Sequence, residues 1–170
     1  MSDEDGDVKL DTPFDRLKFF WEYVMQRRFE SFDSVVKDHL RLISCDRDVK
    51  DPNIGYSTFE LKVPLSLCNG GGNLHGGAVA LIFDLCTSMT VSAVSREGFW
   101  DGAHVSRTLN CTYLRPAPEG TVLLVESTIV HLGKTMGQMT GVMRRKDDGK
   151  VCYTCEHGKA QVSFEAKPKL

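Results

Sequence analysis

Residues 78–95 run for 18 positions without glycine or proline, apolar on nearly every side and carrying a single charge, Asp84. A stretch of that length and composition predicts a helix, and a helix that is apolar all round has to be covered on all sides. The segments around it read differently. Residues 40–49 and 56–64 precede it as strands. Residues 103–114, 122–131, 135–145 and 150–164 follow it as four more, separated by turn residues at 51–55, 115–120, 132–134 and 147–149. Parallel strands need long crossover connections, and these links are too short to supply them. The order therefore predicts an α+β fold: a curved antiparallel sheet wrapped around one long buried helix, with a partner chain completing the cover.

Ahead of the sheet, Phe14, Leu17, Phe20, Trp21, Val24 and Met25 recur at helical spacing, with Thr12 placed as N-cap and Pro13 at the first helical position. One or two amphipathic helices are expected between Pro13 and about Val36. Residues 1–11 are polar and expected to lack fixed structure. The reading is an N-terminal extension over 1–38, one domain over 39–165 and a short tail over 166–170, with no internal repeat.

Composition narrows the function. The 170 residues are 41% hydrophobic and 26% charged, with a net charge of −2, which suits a globular chain and not a nucleic-acid binder. An anionic ligand would have to meet a local cluster of cations. The six cysteines follow an acidic N-terminus without an apolar stretch, so they read as reduced thiols in a cytoplasmic protein. The same start does not resemble a mitochondrial transit peptide. The C-terminal Pro168-Lys169-Leu170 matches the peroxisomal Ser-Lys-Leu signal in two of three positions, and a plain basic tail is the favoured reading. No membrane span is expected, because no run is read as approaching 18 apolar residues. Cys152-x-x-Cys155-x-His157 lacks the remaining ligands of a zinc site, and residues three apart on a strand face opposite sides, so no metal is expected.

The loop from Asn69 to Gly77 holds five glycines. It fails as a nucleotide motif: Gly133-Lys134-Thr135 has Thr128 where a phosphate loop needs glycine, and His75 occupies the third glycine position of a dinucleotide fingerprint. No nucleophile elbow occurs. What remains is a glycine-rich turn opening a helix at Gly76-Gly77. A helix N-terminus offers unpaired N–H groups and partial positive charge, suited to a phosphate, a carboxylate or a developing oxyanion. Asp84 is the second feature. A carboxylate among buried residues is costly unless it is paired or used, and tuned acid–base chemistry is a common use. Gly76 and Asp84 lie about 12 Å apart along one helix. A general base and an oxyanion donor must each lie within about 3 Å of the reacting group. If both act in one reaction, two antiparallel helices related by a two-fold axis must supply them, one from each chain.

Asn69, His75-Gly76-Gly77 and Asp84, followed by Val105-Ser106 and by Asn110-x-Thr112-Tyr113-Leu114-Arg115-Pro116-Ala117, resemble the hot-dog-fold thioesterases, above all the PaaI-like branch that includes thioesterase superfamily member 2. The resemblance covers roughly residues 56–162 and includes Leu132-Gly133-Lys134-Thr135. It implies acyl-CoA thioesterase activity by water attack, with coenzyme A entering only as part of the substrate and no other cofactor. It implies that the Gly76 N–H polarises the thioester carbonyl with help from Asn69, or from Asn73 in this unusual loop. Asp84 of the neighbouring subunit would activate water as general base, with direct attack as the less favoured alternative, and Ser106 of that subunit would position the water. His75 would brace the loop, and Gly77 would border the substrate. Lys134, Arg115, Arg144 and Arg145 are candidates for the coenzyme A phosphates. A homodimer or a dimer-of-dimers tetramer is implied. Two other readings stand beside this one: a non-catalytic module that binds acyl-CoA, and a hot-dog hydratase or dehydratase pairing His75 with Asp84. The N-terminal extension and the bulky 96–104 connection, with Phe99, Trp100 and Asp101, depart from the minimal pattern.

Overall fold

The computed structural model describes residues 11–25 and 32–162. The expectations for residues 1–10 and for the C-terminal Lys167–Leu170 lie outside the described residues. Helix α1 spans Pro13–Met25 and the short α2 spans Ser34–Lys37. At the start of α1, Thr12 Oγ1 accepts from the Asp15 N–H at 3.1 Å and Asp15 Oδ2 accepts from the Thr12 N–H at 3.2 Å, a reciprocal cap in front of Pro13.

Strands β1 (Leu40–Arg47) and β2 (Gly55–Lys62) lead to helix α3 (Gly76–Thr90), which ends in a 3-10 turn over Val91–Ala93. Strands β3 (His104–Tyr113), β4 (Val122–Leu132), β5 (Met136–Arg145) and β6 (Val151–Gln161) follow. All six pair antiparallel in one sheet, in the order β1-β2-β4-β5-β6-β3. The α+β architecture expected from the chain is present, and β3 forms one edge of the sheet.

Helix α3 lies on the concave face. Gly141 permits its approach: a Cβ there would sit 2.7 Å from Phe83 Cδ1 and 2.7 Å from Cys155 Sγ. Val79, Ile82, Phe83, Cys86 and Met89 are buried against the sheet. The cover is incomplete, however. Gly77, Leu81, Asp84 and Ser88, spaced at helical intervals, form a stripe that stays exposed or half-buried. The expectation that no segment is long and apolar enough to span a membrane needs correction. Gly76–Ala93 reaches 18 residues at mean hydropathy 1.4, but 56% of it is buried inside the fold, which places it as a core helix.

Inside the sheet, Tyr153, Cys155, His157 and Lys159 share the helix-facing side of β6 with the two-residue period of a strand. Cys152 faces away, 3.9 Å from Pro116 O. Among the described residues, no group of three His, Cys, Asp or Glu side chains could hold a metal ion.

Candidate active site

The loop before α3 is held by its own polar groups. Asn69 Oδ1 accepts from the Gly71 N–H at 2.9 Å and from the Asn73 N–H at 3.3 Å. Asn73 Nδ2 donates to Gly71 O at 3.0 Å. Both asparagines therefore build the loop, but only Asn73 spends its amide donor there. The His75 N–H goes to Leu67 O at 2.8 Å, and His75 Nδ1 accepts from the Gly77 N–H at 2.9 Å. An imidazole thus caps the helix in place of the usual Ser, Thr, Asp or Asn. With Nδ1 accepting, the proton of the neutral ring sits on Nε2. The Gly76 N–H, at the first helical position, has no acceptor within the helix. Tyr113, near the end of β3, packs its ring over Gly76 and donates its hydroxyl to Gly76 O at 3.0 Å.

Two turns further along α3, Asp84 sits in a polar cluster contributed by three elements. Ser106 Oγ donates to Asp84 Oδ1 at 2.6 Å. His157 Nε2 lies 3.3 Å from the same oxygen, off the line of a good hydrogen bond. Lys159 Nζ donates to Ser88 Oγ at 2.7 Å and to Ser106 Oγ at 3.2 Å. Oδ1 is thus fully engaged, while the Asp84 side chain is still 40% exposed. An anchored carboxylate with one oxygen open can take a proton from a water molecule placed against it.

Ser106 reaches Asp84 because β3 carries a bulge. In the ladder with β6, Ser106 pairs with Lys159 and Thr108 with Gly158, leaving Arg107 as the extra residue. Simple alternation back from Leu109 would turn Arg107 and Val105 toward the helix. The bulge shifts the phase by one residue and turns Ser106 inward instead.

Electrostatics favour neutral imidazoles here. Burial first, and then the Lys159 ammonium, push His157 down to about 4; the same two influences, in the same order, push His104 down to about 4. Thr87 Oγ1 gives its one hydrogen to Phe83 O at 2.6 Å, so its oxygen, 2.6 Å from His157 Nδ1, accepts the proton of that nitrogen, and the neutral ring carries its hydrogen on Nδ1. Burial also lowers the Lys159 ammonium, against the pull of Asp84. The consequence for stability has a definite sign. Unfolded histidine titrates near 6.5, so between that pH and about 4 the unfolded chain binds more protons than the folded one. Stability is full above pH 6.5 and falls as pH drops toward 4. Thermal melts across this window are expected to lose on the order of 5 °C. The slope shrinks in His157→Gln, and a melting point flat from pH 6.5 to 4 would contradict the burial of these imidazoles.

The remaining predicted positions do not converge. Arg144 pairs with Glu126 at 2.8 Å and Arg145 with Asp148 at 3.2 Å. Arg115 donates to Val151 O at 2.8 Å. Lys134 lies in the β4–β5 hairpin, at the opposite end of β5 from Arg144 and Arg145. Sequence reasoning missed Tyr113 as a contact of Gly76, and it missed His157 and Lys159. The last two carried a readable signal: a histidine and a lysine continue a period-two row that is otherwise Tyr153 and Cys155.

Residues 71–152 match the thioesterase superfamily. Mouse acyl-coenzyme A thioesterase 13 is 30% identical over 100 residues, covering 59% of this chain and 69% of the mouse protein. A Caenorhabditis elegans protein bearing the name of an esterase is 32% identical over 98 residues, covering 58% of this chain; the match spans only 56% of the worm protein. Among solved structures, zebrafish thioesterase superfamily member 2 aligns with TM-score 0.71 at 26% identity, over 85% of this chain and 94% of that one. The mouse form of the same protein aligns with TM-score 0.68 at 27% identity, over 84% and 95%. Sequence match, strand order and the single helix in the concave sheet agree, and the chain belongs to the thioesterase superfamily, with the hot-dog fold.

Proposed function

We propose that this protein hydrolyses acyl-CoA thioesters to free acid and coenzyme A, at a site completed by a second copy of the chain. The observation that carries the reading is Asp84, tied through one oxygen to Ser106 and open on the uncovered stripe of α3. A module that only binds has no use for an anchored, half-exposed carboxylate. The name of the mouse relative, acyl-coenzyme A thioesterase 13, supports the same substrate class.

The edge strand explains how the site is shared. Within one chain, Tyr113 contacts Gly76 and Ser106 contacts Asp84. If β3 pairs antiparallel with its own copy about a two-fold axis between Leu109 and Asn110, Tyr113 of one chain comes opposite Ser106 of the other. Gly76 then faces the partner's Asp84. Exposed Val105, Tyr113 and Leu114 and the open edge of β3 suit such a contact.

In the reaction, the Gly76 N–H and helix α3 hold the thioester oxygen as it gains charge, with Asn69 Nδ2 as the second donor. The partner's Asp84 removes a proton from water as the water oxygen attacks the carbonyl carbon. The C–S bond then breaks, and the departing thiolate is protonated as the acid is released. Arg115, next to the Tyr113 end of the site and engaged only by a carbonyl, is the best placed cation for a coenzyme A phosphate.

A hydratase would need His75 as its base, but its Nδ1 already accepts from the Gly77 N–H and its Nε2 carries the ring proton. Incubation with a panel of saturated acyl-CoAs and one enoyl-CoA separates the readings. Free thiol is expected from at least one saturated substrate. Hydration of the enoyl-CoA without thiol release would replace this reaction with the other, and tight binding without either product would leave a binding module.

A further inference from the structure

We propose that Lys159 is a positioning residue of this site, which sets the direction of the Ser106 hydroxyl and balances the charge of Asp84 from inside the core. The inference rests on the hydrolytic reading above.

Lys159 is 2% exposed. Lysine is almost never buried to that degree without a partner, and a buried ammonium is costly where a methionine of similar length would pack for less. It has no direct carboxylate contact. Its acceptors are two hydroxyls, Ser88 on α3 at 2.7 Å and Ser106 on β3 at 3.2 Å. An ammonium has only donors. The Ser106 oxygen must therefore accept from Lys159, and its single hydrogen is left for Asp84 Oδ1, 2.6 Å away. Lysine, serine and aspartate form a one-directional chain that occupies Oδ1 and leaves the other carboxylate oxygen to the substrate water. The strand ladder enforces the arrangement, since Lys159 and Ser106 are cross-strand partners next to the Arg107 bulge. The titratable groups around the cluster are His157 on β6, His104 on β3 and Asp84 on α3. Both histidines are neutral above about pH 4, so Lys159 is the cation that faces Asp84.

The test compares Lys159→Met and Lys159→Arg with the wild type. In Lys159→Met, kcat is expected to fall about tenfold or more, the scale of one lost charge-assisted hydrogen bond, with KM little changed. The acidic limb of the pH–rate profile moves to higher pH, because loss of a neighbouring positive charge favours the protonated base. Lys159→Arg, which keeps charge and donors, recovers part of kcat and returns the limb toward its wild-type position. A fully active Lys159→Met with an unmoved limb would overturn the proposal, since a packing role alone predicts that result. If the methionine variant does not fold, Lys159→Gln keeps a donor without the charge and is read the same way. NMR titration of the His157 ring supplies a readout independent of turnover. Its titration moves up in the methionine or glutamine variant, and an unmoved titration counts against Lys159 even if the wild type hydrolyses no acyl-CoA. A wild type without thiol release, combined with a shifted His157, would reject the hydrolytic reading and keep the electrostatic coupling.

Discussion

Asp84→Asn is expected to lower kcat/KM for acyl-CoA hydrolysis by about 10²-fold or more while leaving fold and assembly intact. The amide matches the carboxylate in shape, so its oxygen still accepts from Ser106, whose hydroxyl lies 2.6 Å from Asp84 Oδ1. What is lost is basicity at the exposed end of the side chain, which a carboxamide cannot supply. The loss should fall mainly on kcat, because water activation belongs to the chemical step. Turnover near the wild-type rate in a folded Asp84→Asn protein would remove Asp84 from the base role.

The second large effect is recovery of activity from two dead variants. Gly76→Pro deletes the N–H assigned to the oxyanion, and the structure accommodates it. Gly76 is the first residue of α3, where proline is favoured. His75 has φ −66° and ψ 138°, the extended conformation that a residue before proline adopts. A Cβ at Gly76 would meet Tyr113 Cε1 at 3.4 Å, an ordinary contact. Homodimers of Gly76→Pro and of Asp84→Asn each carry two defective sites. In a heterodimer, one site collects both defects and the other collects neither. Equal mixing gives about half heterodimers, so roughly a quarter of wild-type activity should return. Light scattering at micromolar concentration should find a dimer or tetramer throughout. An active monomer, or no recovery from well-formed heterodimers, would refute the shared site.

The sequence carried the fold because each element had a local signature: a two-residue alternation in the strands, an apolar stretch without glycine in α3, and turn residues between them. Helix α3 starts at Gly76, where the glycine-rich turn was expected to open it, with the His75 ring as its cap, and it tightens into a 3-10 turn from Val91 before the apolar run ends. Asp84 was conspicuous as a lone charge among apolar neighbours. Its partners were harder to see. The Ser106 contact depends on a bulge at Arg107, and nothing in the local pattern of β3 announces a change of phase. Lys159 lies 75 positions from Asp84 in the chain, and only the pairing of β3 with β6 brings it to the cluster.

The state of the thiols bears on the product. All six cysteines are free. Burial raises the thiols of Cys45, Cys86, Cys111, Cys152 and Cys155 above their ordinary range, with Cys45 and Cys155 pushed up to about 12. Mixed disulfides form through a thiolate, and these side chains hold their protons. Each turnover of the proposed reaction liberates a thiol beside the protein. Under oxidising stress, a coenzyme A disulfide would meet protonated, unreactive sulfur at these five positions, so the proposed product would not be captured there.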